Sequence, residues 1–313
     1  MGQLVDGTWH SGWYEPDAKG AFQRPAARFR DQAPAPAAGR YHLYVSYACP
    51  WAHRTLIMRS LRGLERAISV TVVDPRMPDE GWRMRPEDPD PIGGAQLLQD
   101  VYLRANPRYT GRVTVPVLWD RERNTIVNNE SRDLMRILDV DFASLAEEPL
   151  EPSLAPEDRR ADIDRVLDAI YAPINNGVYR CGFATSQQAY DGAVTELFDA
   201  LQHWEGVLGS QPYLCGGQMT EADVALFTTL LRFDLVYYSH FKTNLRRLRD
   251  LPNLWRFTRR MYQHPGIRHT CQLDHIKVHY YGSQPTVNPS RIVPVGPDLE
   301  LDLSAPLDVD PAR

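Results

Sequence analysis

The chain has 313 residues, 43% of them hydrophobic, which is enough for about two globular domains. Its formal net charge of -5 excludes the basic surplus of a typical nucleic-acid-binding protein. No apolar run reaches the roughly 20 residues of a membrane-spanning helix, and residues 1–6 lack the basic and apolar regions of a signal peptide. We therefore expect a cytoplasmic protein that binds neither nucleic acid nor a membrane.

The N-terminal half begins with an expected irregular arm, residues 1–39, which is rich in Gly, Pro and aromatic residues. Alternation in residues 40–46 predicts a strand, residues 51–64 predict a helix, and the β-branched residues 68–73 predict a second strand. This order predicts a parallel β-α-β unit. Residues 74–107 carry repeated Pro, Gly and Asp and predict a long irregular loop, which is often a functional feature.

Two further strands are predicted at residues 113–119 and 125–127, around a polar hairpin turn, and a helix is predicted at residues 133–138. Together with the β-α-β unit, this order is that of a thioredoxin-like domain, which we place at residues 40–146. The Pro-rich and acidic residues 147–156 then mark a domain boundary.

The C-terminal half, residues 157–282, shows helical spacing throughout and predicts an all-helical domain. Residues 224–233 are apolar on nearly every side, which predicts a central buried helix. Thr220, followed three residues later by Asp223, predicts a capping box at the start of this helix. The Pro-rich tail, residues 283–313, is expected to be irregular. The predicted fold class is therefore α+β.

Cys49 is the cysteine whose surroundings suggest chemistry. It lies between the predicted first strand and helix, directly before Pro50, which suits a first helical turn. The unpaired N–H groups and the dipole of that helix favour the thiolate, a nucleophile near neutral pH. The alternative is an inert buried cysteine. Cys181, Cys215 and Cys271 are far apart, and no cysteine has zinc-ligand spacing, so we expect neither a metal site nor structural disulfides.

Two short motifs could hold a peptide-like ligand. Pro116 cannot donate to a sheet, and a cis bond before it would leave the backbone of Val115 available to an extended peptide; an ordinary trans proline at a sheet edge is the alternative. Glu130 and Ser131 open a predicted helix, where they could simply cap it. They could also bind a γ-glutamyl group, with Ser131 and the helix N-terminus at its carboxylate and Glu130 at its ammonium.

Taken together, these motifs are similar to those of glutathione transferases of the cysteine type. More specifically, the chain resembles the glutathionyl-hydroquinone reductases, the xi class, over residues 5–285. The strings that carry the resemblance are Cys-Pro-Trp-Ala-His-Arg (49–54), Gly-Trp-Arg (81–83), Arg-Val-Thr-Val-Pro-Val-Leu-Trp-Asp (112–120), Ile-Val-Asn-Asn-Glu-Ser (126–131), Ile-Asn-Asn-Gly-Val-Tyr (174–179) and the Thr-x-x-Asp box (220–223).

The resemblance implies a thioredoxin-like N-terminal domain followed by an all-α glutathione transferase C-terminal domain, and a homodimer. It implies reduction of S-glutathionyl-hydroquinones to hydroquinones through a Cys49–glutathione mixed disulfide, with release of oxidised glutathione. Glutathione is then a co-substrate, glutathionylated aromatic quinols are the second substrate, and no cofactor is tightly bound. The alternatives are an omega-like thiol transferase, such as a dehydroascorbate reductase, and a non-catalytic glutathione-binding scaffold.

The resemblance also implies a role for each site residue. Cys49 is the nucleophile and Tyr179 the proton donor. Tyr237 and Tyr280 stabilise the thiolate, with Tyr238 and Tyr281 as neighbouring alternatives. The tyrosines could instead be buried for packing alone, and Trp82 could be a loop anchor. The implied glutathione-binding residues are Trp82, Arg112, Val113, Thr114, Val115, Glu130 and Ser131.

Overall fold

The structure, a computed structural model, describes residues 2–32 and 35–307. Their contacts define two compact units. The first unit comprises Met1–Trp13 and Pro25–Ser153, and the second comprises Tyr14–Arg24 and Leu154–Arg313. A short piece of the predicted N-terminal arm is thus part of the C-terminal unit.

The described residues of the first unit form a four-stranded main sheet and a smaller three-stranded sheet. The strands of this unit are β1 (Gly2–Val5), β2 (Thr8–Ser11), β3 (Tyr41–Val45), β4 (Ser69–Val72), β5 (Gly111–Arg112), β6 (Val117–Asp120) and β7 (Thr125–Asn128), and its α-helices are α1 (Pro50–Leu61), α2 (Leu98–Ala105) and α3 (Ser131–Arg136). The main sheet has the order β4-β3-β6-β7, with β3 and β4 parallel and the other pairs antiparallel. Every residue of β3 and β6 is buried, so both faces of the sheet are covered. The thioredoxin-like prediction is confirmed.

The expectation of an irregular arm is wrong for its first residues. Strands β1 and β2 form an antiparallel hairpin, and β1 also pairs with β5. Asp6 and Gly7 make the turn with positive φ angles of 46° and 79°. An Asp-Gly pair with this backbone geometry is a strong hairpin signal. Neither Gly-Gln-Leu-Val nor Thr-Trp-His-Ser alternates strictly between apolar and polar residues, so apolar alternation does not reveal these strands.

The predicted irregular loop at residues 74–107 is wrong in part, because α2 lies within it. The buried side chains of α2, Leu98, Val101 and Tyr102, have helical spacing. The rest of the loop is ordered around the buried Asp90, which accepts hydrogen bonds from the Tyr44 hydroxyl and from three backbone N–H groups. Burial opposes ionisation of Asp90, but these hydrogen bonds hold its pKa below the ordinary value.

The second unit is helical, as predicted. Its α-helices are α4 (Arg160–Ile170), α5 (Gly177–Gly182), α6 (Gln187–Ser210), α7 (Glu221–Leu230), α8 (Tyr238–His240), α9 (Pro252–Gln263), α10 (Pro265–Arg268), α11 (Leu273–Ser283) and α12 (Glu300–Ser304), and π-helical turns lie at Tyr171–Asn175 and Phe233–Tyr237. All ten residues of α7 are buried, and Thr220 and Asp223 form the predicted capping box at its start. The short helix α12, anchored by the buried Leu299 and Leu303, corrects the expectation of a wholly irregular tail. Among the described helices, none combines the length and apolar character that crossing a membrane requires.

Candidate active site

Cys49 lies at the junction that the sequence predicts. It is the residue immediately before α1, with an extended backbone (φ -79°, ψ 120°), and Pro50 follows in the first helical turn. The carbonyl of Cys49 accepts the His53 N–H at 2.9 Å, which begins the helix. The first turn of α1 carries no acidic residue, so no nearby carboxylate on that turn opposes a thiolate. The thiol is half-buried, and its Sγ lies 3.6 Å from the Val115 carbonyl oxygen.

The segment that meets Cys49 is irregular rather than a strand. The Val115–Pro116 peptide bond is cis, which decides between the two isomers left open by the sequence. The strand predicted from residue 113 begins only at Val117, because Pro116 has no N–H to donate to a ladder. Val113 and Val115 are buried, and Thr114 between them is half-buried. A backbone held this way can pair with an extended peptide.

Tyr102 of α2 fixes this segment in place. Its hydroxyl donates to the Thr114 carbonyl at 2.8 Å and accepts from the Thr114 N–H at 3.2 Å. It also accepts from the side-chain amide of Asn129 at 3.0 Å. These three bonds use the full capacity of a neutral phenol, and burial raises the pKa of Tyr102, which keeps it neutral. Tyr102 therefore joins the residues after β5 to those before α3.

The start of α3 is built around Glu130 and Ser131. The Glu130 carboxylate caps the helix by accepting the Arg132 N–H at 3.2 Å. Ser131 is buried, and its hydroxyl accepts from the guanidinium of the buried Arg54 at 3.3 Å. The capping role that the sequence allows for Glu130 is thus confirmed. The same helix N-terminus also brings a carboxylate, a hydroxyl and a guanidinium group together. Such a group of side chains suits a ligand that carries both charges.

Two of the implied glutathione-binding residues have structural roles here. The Arg112 guanidinium donates to the carbonyl oxygens of Gly12 and Trp13 at 3.0 and 2.7 Å, so it fastens the chain after β2. Trp82 is buried, and its carbonyl accepts the N–H of Leu98 at the start of α2 at 2.9 Å. Trp82 therefore helps to anchor its loop. That either residue contacts glutathione stays a prediction.

The three implied tyrosines of the second unit meet at their hydroxyls. The Tyr280 oxygen on α11 lies 2.7 Å from that of Tyr179 on α5 and 2.9 Å from that of Tyr237, at the end of a π-helical turn. Tyr281 instead shares a hydrogen bond with Ser239. The structure thus brings Tyr179, Tyr237 and Tyr280 together, and we call these three residues the tyrosine cluster.

The hydrogen bonds of the tyrosine cluster are compatible with a proton held on the Tyr179 hydroxyl. Burial raises the pKa of Tyr280 well above its ordinary value, so this hydroxyl stays protonated and has one proton to donate. When Tyr280 donates to Tyr179, the Tyr179 hydroxyl keeps its own proton for another acceptor. This orientation is the one that a general acid at Tyr179 requires.

The sequence patterns do not single out Tyr102, Asn129 and Arg54 as residues that hold this site together. Asn129 stands in the motif Asn-Asn-Glu-Ser, which was a usable signal. Arg54 stands in the Cys49 motif, but its direction along the helix could not be read from spacing. Tyr102 gave no signal, because its helix lies inside a loop predicted to be irregular. Among the described residues, no group of three or more His, Cys, Asp or Glu side chains is arranged to hold a metal ion.

Replacing Tyr102 by phenylalanine is expected to raise the KM for glutathione about fivefold, because it leaves the Thr114 N–H and the Asn129 amide without their buried acceptor. Steady-state kinetics with glutathione as the varied substrate measure this change. Tyr41→Phe is the matched control, since it also removes a tyrosine hydroxyl from the first unit, one that donates to Ala35 instead. Equal KM values for the two variants would contradict the assignment.

Comparison with known proteins agrees with this architecture. A family model described as the glutathione S-transferase N-terminal domain matches residues 48–140, and one described as the C-terminal domain matches residues 187–260. The glutathionyl-hydroquinone reductase YqjG of Escherichia coli strain K12 is 48% identical, over 96% of this chain and 97% of its own. The glutathionyl-hydroquinone reductase PcpF of Sphingobium chlorophenolicum is also 48% identical, over 95% and 96%.

Solved structures extend the likeness to three dimensions. A xi-class transferase from Natrialba magadii superposes with a TM-score of 0.90 at 50% identity, covering 98% of this chain and 96% of its own. A glutathione-bound structure of the Escherichia coli YqjG gives a TM-score of 0.87 at 45% identity, covering 100% of both chains. A cysteine heading the first long helix of a thioredoxin-like unit, before an all-helical unit, is the arrangement of a glutathione transferase, and the chain belongs to that family. Within it the chain belongs to the xi class, the class of the glutathionyl-hydroquinone reductases.

Proposed function

We propose that this chain is an enzyme that uses glutathione to reduce S-glutathionyl-hydroquinones to hydroquinones. The observation that carries the proposal is the position of Cys49, directly before α1 and against the Val115 backbone. Two glutathionyl-hydroquinone reductases are each 48% identical to this chain over nearly its full length, and this supports the choice of substrate.

In the first step the Cys49 thiolate attacks the sulfur of the glutathionyl-hydroquinone. A sulfur–sulfur bond forms, the bond between sulfur and the ring carbon breaks, and the electron pair stays on the ring carbon. Tyr179 gives that carbon its proton, which completes the hydroquinone. The covalent intermediate, a Cys49–glutathione mixed disulfide, divides one difficult reaction into two easier ones.

In the second step a glutathione thiolate attacks the sulfur of the bound glutathionyl group. Oxidised glutathione leaves, and Cys49 returns as a thiolate. The proton lost by this second glutathione restores the one that Tyr179 gave away. The balanced reaction consumes one glutathionyl-hydroquinone and one glutathione, and yields one hydroquinone and one oxidised glutathione, with no further cofactor.

The first unit supplies the proposed groups that hold glutathione. The Val115 backbone pairs with the peptide, while Glu130 accepts from the γ-glutamyl ammonium and Ser131 donates to its carboxylate. Arg54, which donates to Ser131 at 3.3 Å, orients that hydroxyl and adds a positive charge. Val113 and Thr114 hold this backbone, and Trp82 and Arg112 complete the proposed set.

The tyrosine cluster supplies the proposed proton chemistry. Tyr179 is the acid, and the class resemblance assigns stabilisation of the thiolate to Tyr237 and Tyr280. A hydrogen bond donated by Tyr280 to Tyr179 leaves the Tyr179 proton for the ring carbon. The support for this assignment is the separation of 2.7 to 2.9 Å between neighbouring hydroxyl oxygens.

A general thiol-transfer activity is the second candidate, because the omega-like 2 transferase of Schizosaccharomyces pombe is 43% identical over 89% of this chain. Reduction of dehydroascorbate or of glutathionylated proteins would use the same Cys49 chemistry without protonating a carbon. A non-catalytic scaffold would bind glutathione and form no adduct.

One experiment separates the three. The purified protein is mixed with a glutathionyl-hydroquinone, and intact mass spectrometry is combined with product analysis. We expect a mass gain of one glutathione, lost on adding glutathione, and turnover of the quinol at least about tenfold faster than of dehydroascorbate. The reverse preference would favour the second candidate, and the absence of an adduct would favour the scaffold.

We further propose a homodimer and a cytoplasmic location. The class resemblance is the support for the dimer, and sedimentation equilibrium tests it. None of the four cysteines forms a disulfide, and the proposed cycle consumes reduced glutathione, so a reducing compartment suits the chemistry.

A further inference from the structure

Residues 14–24 form a strap that belongs to the second unit although the chain on both sides belongs to the first. Hydrogen bonds fix the turn of the strap to residues 185 and 186, directly before α6. The Ser186 hydroxyl donates to the Lys19 carbonyl at 2.7 Å, and the Thr185 N–H donates to the Gly20 carbonyl at 2.9 Å. Asp17 closes the turn by accepting the N–H groups of Lys19 and Ala21, each at 2.9 Å.

The strap places aromatic rings beside Tyr179. Phe22 is buried, with its ring centroid 5.3 Å from that of Phe183 and 6.4 Å from that of Tyr179. Tyr14 packs edge-on against Phe22 at 5.0 Å. Phe241 lies 5.5 Å from Tyr179. The tyrosine that the proposed reaction uses as an acid is therefore held partly by residues from the N-terminal end of the chain.

Arg24, at the end of the strap, holds the Tyr179 helix at two points. Its guanidinium carbon lies 4.7 Å from the centroid of the Tyr179 ring, a cation–π contact. Its Nε donates at 2.8 Å to the side-chain oxygen of Asn176, the residue directly before α5. The backbone carbonyl of Asn176 in turn accepts the Tyr179 N–H at 3.1 Å. The Arg24 side chain thus contacts both the Tyr179 ring and the residue directly before α5.

We propose that Arg24 is a positioning residue for Tyr179, which sets the hydroxyl where it can protonate the ring carbon of the quinol. This inference rests on the proposed function. A general acid transfers its proton efficiently only from hydrogen-bond distance of the accepting atom, so a small displacement of Tyr179 slows protonation of carbon. The same displacement does not slow a disulfide exchange, because that reaction needs no proton on carbon.

The test compares two variants with the wild-type enzyme on two substrates, a glutathionyl-hydroquinone and the mixed disulfide of glutathione with 2-mercaptoethanol. Arg24→Gln keeps a donor for Asn176 but loses the stacked cation, and we expect kcat on the quinol to fall about tenfold and on the disulfide less than about twofold. Arg24→Lys keeps a cation, and we expect it to stay within about threefold of wild type on both substrates.

The matched control is Arg180→Gln, which removes a guanidinium from α5, the helix that carries Tyr179. In the wild-type protein this guanidinium donates to Glu196 at 2.6 Å. We expect this control to resemble wild type. The proposal would be overturned if Arg24→Gln slowed the reactions of both substrates equally. It would also be overturned if Arg180→Gln slowed reduction of the quinol as much as Arg24→Gln does.

A crystal structure of Arg24→Gln gives a readout that does not depend on activity. We expect the Tyr179 hydroxyl to move out of hydrogen-bond distance of Tyr280, and an unmoved ring would overturn the positioning role. If the wild-type enzyme failed to reduce the quinol, the proposed function would fail, and the displacement of Tyr179 would still decide whether Arg24 positions it.

Discussion

Replacing Cys49 by serine is expected to lower turnover of a glutathionyl-hydroquinone at least about a thousandfold. A serine oxygen cannot form the disulfide that accepts the glutathionyl group, so both halves of the cycle lose their intermediate. Serine is close to cysteine in size, and the position before α1 accepts it as a helix cap. The loss would therefore reflect chemistry rather than unfolding. Initial rates and intact mass spectrometry are the measurements.

Cys215→Ser is the matched control for this substitution, because Cys215 is another half-buried thiol. Burial raises the pKa of Cys215, and it raises that of Cys181 and of Cys271 to about 12. These three thiols stay protonated at neutral pH and react slowly. We expect Cys215→Ser to form the glutathione adduct at the wild-type rate. An adduct on Cys49→Ser would place the nucleophile elsewhere.

Local patterns predicted much of this fold and the central site residue. Cys49 and Pro50 are neighbours in the chain, so the helix start that they form can be inferred from adjacent residues. Helix α7 is buried on all sides, and its apolar composition alone predicted this. Helix α2 is only eight residues long, too short for periodicity to distinguish it from the loop around it.

Contacts between distant residues could not be inferred in this way. The Tyr102 hydroxyl meets Thr114 and Asn129, which are 12 and 27 residues away, and Arg24 meets Asn176 across 152 residues. No periodicity links such pairs, because tertiary packing alone brings them together. The resemblance implied the tyrosine cluster, but only the structure distinguishes Tyr280, bonded to Tyr179, from Tyr281, bonded to Ser239.

Tyr179→Phe is expected to lower kcat for a glutathionyl-hydroquinone about a hundredfold, within the range that a general acid contributes. The phenylalanine ring keeps the packing against Phe22 and Phe241 and removes only the hydroxyl, which bonds to Tyr280 at 2.7 Å. Reduction of the glutathione–mercaptoethanol disulfide should change less than about threefold, because that leaving group is a thiolate and needs no proton on carbon. The ratio of the two rates isolates the proton transfer.

Tyr281→Phe serves as the control for Tyr179→Phe, since it removes a neighbouring hydroxyl whose partner is Ser239. We expect this variant to retain the wild-type ratio of rates. In Tyr179→Phe the carbanion must take its proton from solvent or buffer, so its rate on the quinol should rise with the concentration of buffer acid, while the wild-type rate should not. A Tyr179→Phe enzyme that is slowed equally on both substrates, or that gains no rate from buffer acid, would show that the hydroxyl holds the site together rather than protonating the ring.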